Sequence, residues 1–350
     1  MDNLIICKYD DKYEAIWDDF VKVAVLSTIY HTRKFINYHP KDRFDDNSIL
    51  LFLKDELICV VPACKQKEIY NVCKPIVVDE NGDIDIDPSE FTSSHIQKKP
   101  NNYFSYLGAT YGGPVFLRKY FETRYIDIII KKIFTYYNNK IEFRLANNIY
   151  FDDNIFMVYS LLSSKLRMVP ELSWYINTDD DFINKINNRR NKSSLLKMIN
   201  NDNITCFQTQ CVNDYNSFYS ILEKNLSLRH DTNPTHTHEE FLRLKEILGD
   251  DASLYIVKEG NNILGGVYVI KVTKLCWYTF YISKNIDADN NAAVPYLMYT
   301  ISNDAKKENV KYLDYGICTE NKGTLLNVGL ADFKERTLGG ISNARYLFLL

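Results

Sequence analysis

The chain has 350 residues, of which 46% are hydrophobic and 25% charged, a globular composition with room for two domains. A formal net charge of -3 at pH 7 argues against a dedicated nucleic-acid binder, so no DNA partner is expected. No run of about 18 apolar residues is present to span a membrane, and the start, MDNLIICKYDDKYE, lacks the basic and apolar regions of a secretion signal.

In chain order, residues 13–25 (YEAIWDDFVKVAV) carry helical spacing, with Ile16, Phe20 and Val23 on one face. Residues 48–66 read as two strands around a tight polar turn at Lys54–Glu56. A polar insert over roughly 67–102 precedes YFSYLGATYGGPVF, an apolar helix over 125–137 and a strand over 140–146. The second half repeats the order. Helices are expected over 214–230 and 237–248, two strands over 252–272 with a turn at Gly260-Asn261-Asn262, and a strand over 274–283. A helix over 292–309, a strand over 310–316, a helix over 328–340 and a last strand over 344–350 follow. This repetition of element order predicts an α/β protein of two tandem domains, 1–170 and 171–350, with the boundary between 165 and 180.

Several stretches carry candidate chemistry. DYGICTENKGTLLNVGLADFKERTLGG is not a phosphate-binding P-loop, because Lys322 precedes Gly323 rather than following it. RHDTNPTHTH places Arg229, His230, His236 and His238 together. The spacing is poor for zinc, so no metal is expected, whereas His suits a base acting on an amine. The alternative is support of the following helix, capped by Thr235 or Thr237 with a downstream Glu. In HTRKFINYHP, His31 and Arg33 are candidates for a phosphate or sugar, against a solvated helix face. Tyr111 in TYGGPVF is a candidate pocket residue, with the glycines serving either a turn or the close approach of a ligand. Asp314 ends a strand expected to be central, where a carboxylate of raised pKa could accept a proton; the alternative is a structural ion pair. NRRNKSSLLK (188–197) is a diphosphate or RNA-backbone contact or, alternatively, a solvated helix face. The eight cysteines form no CxxC pair, and several lie in apolar runs such as ELICVVPAC, which points to reduced thiols and a cytoplasmic location.

The segments HTRKFINYHPKDRFDDNSILLFLKDELICVVPA, ATYGGPVF, NLSLRHDTNPTHTHEEF and DYGICTENKGTLLNVGLADFKERTLGG resemble the duplicated GNAT-type N-acyltransferase domains also found in FemA/FemB-type transferases. The nearest likeness is to bacterial N-acyltransferases that act on nucleotide-linked amino sugars for surface polysaccharides. The resemblance implies two GNAT-like domains, each a mixed, mostly antiparallel sheet flanked by helices, the first degenerate and the second holding the acyl donor. It implies an acyl-coenzyme A co-substrate lying between two splayed strands, 277–283 and 311–316, with backbone amides near Tyr281 and Ser283 holding the oxyanion. The pyrophosphate would sit at Ala292 and Ala293, opening the next helix. That turn, NIDADNNAAVPYL, departs from the family by lacking Gly and carrying Asp287 and Asp289, which keeps aminoacyl-tRNA, the FemA/FemB donor, as the alternative.

On this resemblance His230 or Asp314 takes the amine proton, Asn327 borders the acceptor pocket, and the acceptor is a primary amine on a nucleotide-linked sugar. In the family the last helix supplies a Tyr that protonates the leaving thiolate. Here that aromatic is Phe333, so the acid is Lys334, a nearby Tyr or water, or none is needed. A homo-oligomer and a non-catalytic binding role both remain open at this stage.

Overall fold

A computed structural model describes residues 3–40, 43–65, 77–78, 84–85, 102–105, 108–230, 232–288 and 292–350, with 77–78, 84–85 and 230 given by their backbone only. Most of the polar insert lies outside the described residues.

The first half runs β1 (Leu4–Lys8), α1 (Glu14–Val23), α2 (Arg33–Ile36), β2 (Asp45–Asp46), β3 (Ile49–Leu53), β4 (Glu56–Val61), β5 (Cys64–Lys65), β6 (Val77–Val78), β7 (Ile84–Asp85), β8 (Tyr103–Phe104), β9 (Val115–Phe116), α3 (Thr123–Tyr136), β10 (Ile141–Leu145) and α4 (Ile155–Ser163). The buried stripe of α1 is Trp17, Phe20 and Val21, whereas Ile16 and Val23 face solvent. The expected face is rotated because the Trp17 indole turns inward and donates to the His31 carbonyl at 2.7 Å. The β3–β4 turn has Lys54 and Asp55 both at positive φ, the backbone twist of a tight hairpin.

The second half runs β11 (Arg167–Asn177), α5 (Phe182–Lys185), α6 (Arg189–Ile199), β12 (Ile204–Thr209), α7 (Val212–His230), α8 (His238–Leu248), β13 (Ala252–Glu259), β14 (Asn262–Lys271), β15 (Cys276–Lys284), α9 (Ala293–Lys307), β16 (Tyr312–Ile317), β17 (Thr319–Glu320), β18 (Leu325–Leu326), α10 (Val328–Asp332) and β19 (Ile341–Leu349). A π-helical turn over Phe333–Thr337 joins α10 to β19. Thr237 caps α8, and Glu240 reaches back to the Thr237 amide at 2.9 Å, completing a capping box.

Among the described residues, one eleven-stranded sheet has the order β12-β13-β14-β15-β16-β11-β19-β10-β8-β5-β2, and a second has the order β1-β3-β4-β9. The sheets are mixed and mostly antiparallel, with β8–β10 and β15–β16 parallel. The fold is therefore the expected mixed α/β arrangement.

Its centre is an exchange of strands. β11 follows β10 and α4 in the chain yet pairs with β16 of the second half, from Ser173↔Ile317 to Asn177↔Tyr312. β19 closes the second half yet pairs with β10 of the first, from Phe143↔Phe348 to Leu145↔Tyr346. The two exchanged strands also pair with each other from Arg167↔Leu349 to Tyr175↔Ile341. A boundary at 170/171 thus falls inside β11.

Three cores result. One lies under α1, α3 and α4, and one under α6 and α9. The third is shared: Tyr30, Phe35, Tyr38, Tyr111 and Tyr150 of the first half pack with Tyr215, Phe218, Phe241 and Tyr268 of the second.

Candidate active site

β15 and β16 pair only at Cys276↔Tyr312, Trp277↔Leu313 and Tyr278↔Asp314. β15 then continues to Lys284 and β16 to Ile317 without pairing to each other, so the sheet opens between them. The Thr279 hydroxyl donates to the Asp314 carbonyl at 3.1 Å and pins the last closed step. On the other side of β15, Tyr281 faces Tyr268 of β14 and Thr279 faces Val269, which leaves Phe280 as an extra, unpaired residue. A bulge of this kind frees a backbone amide from the ladder. The strand gap and the bulge therefore adjoin at Phe280. The amides expected to hold the oxyanion, near Tyr281 and Ser283, lie just beyond this bulge.

The corresponding place in the first half is narrower among the described residues. β9 lies in the small sheet and β8 in the large one, while Gly112 makes an isolated bridge to Leu145. A cavity of about 10 Å³ remains there, lined by Leu26, Gly112, Pro114, Leu145, Phe151 and Val158 among others. That space holds no donor arm.

Asp314 is buried at the last paired step of the gap. Its Oδ1 accepts the Gly316 amide at 2.7 Å, and its Oδ2 accepts the Tyr150 hydroxyl. Tyr150 in turn accepts from Tyr111 at 2.6 Å. Burial pushes the Asp314 carboxyl above its usual range, although the hydrogen bonds from Tyr150 and Gly316 and the charges of Lys334 and Arg345 pull the other way. Both oxygens being engaged, Asp314 acts in this arrangement as a hub: Tyr111 and Tyr150 come from the first half, Asp314 from the second. Close by, the buried Arg345 of β19 donates to Glu171 of β11 at 2.7 Å, and Arg144 of β10 approaches the same carboxylate at 3.2 Å. Each exchanged strand contributes one member.

His236 lies between two phenols. Its Nε2 is 2.6 Å from the Tyr38 hydroxyl and its Nδ1 is 2.7 Å from the Tyr281 hydroxyl. Tyr219 donates to its carbonyl at 2.9 Å. Burial pushes the imidazole down to about 4, so it is neutral near pH 7. Tyr281 stands on the unpaired length of β15, on the face covered by α7 and α8.

The other expected residues are dispersed. His31 is buried, and its Nδ1 accepts the Thr28 amide at 3.1 Å, with burial pushing the ring down to about 4. Arg33 is fully enclosed, bound to Asp46 at 2.5 Å and stacked 3.2 Å over the Tyr9 ring. Both serve the first-half core, and neither is a solvated helix face. Arg229 is exposed near the end of α7, and the side chain of His230 lies outside the described residues. Asn327 caps α10 by accepting the Leu330 amide at 3.0 Å. Lys334 is buried, its ammonium donating to the Gly316 and Ile317 carbonyls at 3.0 Å each, and burial pulls its pKa below the lysine range. It locks the end of β16. Ser283 accepts from Asn225 at 3.0 Å.

Ala292 caps α9 and Ala293 opens it, both buried. Pro295, which the sequence reading passed over, occupies the third helical position and has no N–H, so the anion-binding end of α9 has one donor fewer. Asp287 is paired with Lys224 at 2.6 Å, while Asp289 lies outside the described residues. Also missed were Phe280, Tyr38 and Tyr150; their roles depend on partners distant in the chain. Among the described residues no group of three or more His, Cys, Asp or Glu is placed to hold a metal, and no helix is long and apolar enough to cross a membrane.

Along 99% of this chain and 97% of its own, the solved structure of FemX superposes with a TM-score of 0.65 at 12% identity. The chain shares the FemX fold. A conserved protein of unknown function from Bacteroides thetaiotaomicron superposes over 99% of both chains with a TM-score of 0.54 at 8% identity. A tandem GNAT protein from the clavulanic acid biosynthesis pathway covers 99% of this chain and 97% of its own, at 7% identity and a TM-score of 0.48, too loose a fit to carry an inference. No family model matches the sequence, and no curated protein matches it.

Proposed function

We propose that the protein is an N-acyltransferase that moves an acyl group from a coenzyme A thioester to a primary amine. The observation that carries this reading is the gap between β15 and β16 with the Phe280 bulge on its rim. The thioester carbonyl would lie in the gap and accept the released amide, which also stabilises the tetrahedral oxyanion. The second half is taken as the donor's half, a reading supported by the small first-half cavity of about 10 Å³ among the described residues. The acceptor is taken to be an amino sugar linked to a nucleotide, as the sequence resemblance implies, and the setting cytoplasmic. Phe280→Pro removes the amide at the bulged residue, which has no register partner on β14. Its kcat should fall about 10²–10³-fold with coenzyme A binding retained, measured by amide formation and by thermal stabilisation. Unchanged turnover would sink the oxyanion assignment.

A second reading, aminoacyl transfer from tRNA in the FemA/FemB manner, is favoured by the N-terminus of α9. Its lost N–H at Pro295, the absence of glycine and the acidic Asp287 all weaken a pyrophosphate site. The full-length likeness to FemX adds weight. Stabilisation by aminoacyl-tRNA, with none by acetyl- or longer acyl-coenzyme A, would replace the first reading with the second.

A further inference from the structure

We propose that Tyr281 is the proton shuttle of the transfer and that Tyr38 and His236 aim its hydroxyl. The inference rests on the reading of the β15–β16 gap as an acyl-transfer site. Three elements build the chain: Tyr38 follows α2, His236 stands in the α7–α8 connection, and Tyr281 is next to the Phe280 bulge. The hydroxyl-to-ring distances are 2.6 Å and 2.7 Å.

Accounting for donors selects one direction along this chain. Tyr38 is fully buried, and among the described residues the only hydrogen bond of its hydroxyl is to His236 Nε2. If Nε2 carried the proton, the Tyr38 O–H would be a buried donor with nowhere to go. Tyr38 therefore donates to Nε2, the ring proton sits on Nδ1, and Nδ1–H donates to the Tyr281 oxygen. Tyr281 is only partly buried; the His236 backbone and the Thr235 side chain also act on its hydroxyl, and its own proton turns away from the Nδ1–H. The charged groups facing His236 are Glu240 and Arg43, which are paired with each other and act on the ring in opposite senses. His238 stacks on Tyr219 rather than on the relay.

The chemistry balances without storing charge. When the amine adds to the donor carbonyl, its nitrogen carries one proton too many and the departing sulfur lacks one. The Tyr281 oxygen accepts the N–H proton as its O–H proton passes to the sulfur. The C–S bond breaks, the carbonyl re-forms, and the products are an amide and a thiol. For an ester donor the departing atom is oxygen and the account is the same. Burial holds the Tyr281 hydroxyl up at about 12, so it is protonated and able to donate at neutral pH. His236 stays neutral throughout. Because Tyr38 belongs to the first half, that half contributes to the chemistry while holding no donor.

The test uses the full-length protein labelled with ¹⁵N. Long-range ¹H–¹⁵N spectra should show His236 as the Nδ1–H tautomer at pH 7, still neutral at pH 5; an Nε2–H tautomer or an imidazolium at pH 6 overturns the relay. Tyr38→Phe should release the tautomer preference and lower kcat about tenfold with KM unchanged. Tyr281→Phe should lower kcat about 10²–10⁴-fold while stabilisation by the donor is kept. Turnover of Tyr281→Phe within about threefold of the parent overturns the shuttle. If the parent protein transfers nothing to any amine, the proposed function fails and the shuttle with it, whereas the tautomer spectra still decide whether Tyr38 and His236 orient Tyr281.

Discussion

A methyl group on Gly112 would lie 1.7 Å from the Ser105 carbonyl oxygen, and the Gly113 amide donates to the Ser105 hydroxyl at 2.8 Å. Two backbone segments therefore touch where the chain passes from the large sheet to the small one. Gly112→Ala should destabilise the protein by about 3 kcal/mol in urea unfolding, as overpacking against rigid backbone does. Gly329→Ala is the control: it lies in α10 with only the Asn327 side chain near, 3.8 Å away, and should be neutral or stabilising by up to about 1 kcal/mol. The two buried histidines predict a pH response. His31 and His236 are held near 4 in the folded protein, below the unfolded value of 6.5. The unfolded chain thus binds more protons between those values, and stability falls as pH drops from 6.5 towards 4. Each ring accounts for a loss of up to about 3 kcal/mol. Unfolding free energies measured from pH 7 to 4 should show that slope, and His236→Gln should remove about half of it, leaving the part due to His31.

At the scale of elements, the parts with strong periodicity were legible. The hairpin of β13 and β14, helices α7, α8 and α9, and the capping box at Thr237 all lie close to where the alternation and spacing put them. β11 was not legible. Its stretch, RMVPELSWYIN, carries a proline and two charges and in sequence is expected to hold the boundary between halves. Yet Glu171 is buried because Arg345 and Arg144 meet it from neighbouring strands, and Pro170 lies opposite Tyr346. A buried carboxylate in a central strand looks polar in sequence, since its counter-charges are far away in the chain. The same holds for the site. His236, Tyr281 and Asp314 were visible as candidates, whereas Tyr38 and Tyr150 were two among 26 tyrosines. His31 and Arg33 have the right chemistry for a ligand, but the fold spends both on its own interior.

At the scale of the whole molecule, the exchange of β11 and β19 joins the two halves through one sheet. We propose that 1–170 and 171–350 are repeats in origin rather than separable domains. Expressed alone, neither should give a folded species by circular dichroism or dispersed amide spectra, whereas the full chain should unfold in a single transition. A fragment 171–350, which keeps the part of β11 that pairs with β16, folding alone and binding the donor would show that the second half is separable. The third core argues against it, because Tyr38, Tyr111 and Tyr150 fill space beside Tyr268, Tyr278 and Asp314.

The exchange also sets an order on synthesis. β10 emerges from the ribosome about two hundred residues before the strand that will lie against it, since Phe143 must wait for Phe348. Until β19 is made, β10 and β11 each present an open edge with ladder groups unpaired, the condition that invites chaperone capture or aggregation. A stop codon anywhere before Ile341 therefore costs more than a missing tail. It leaves the earliest half of the protein unfinished.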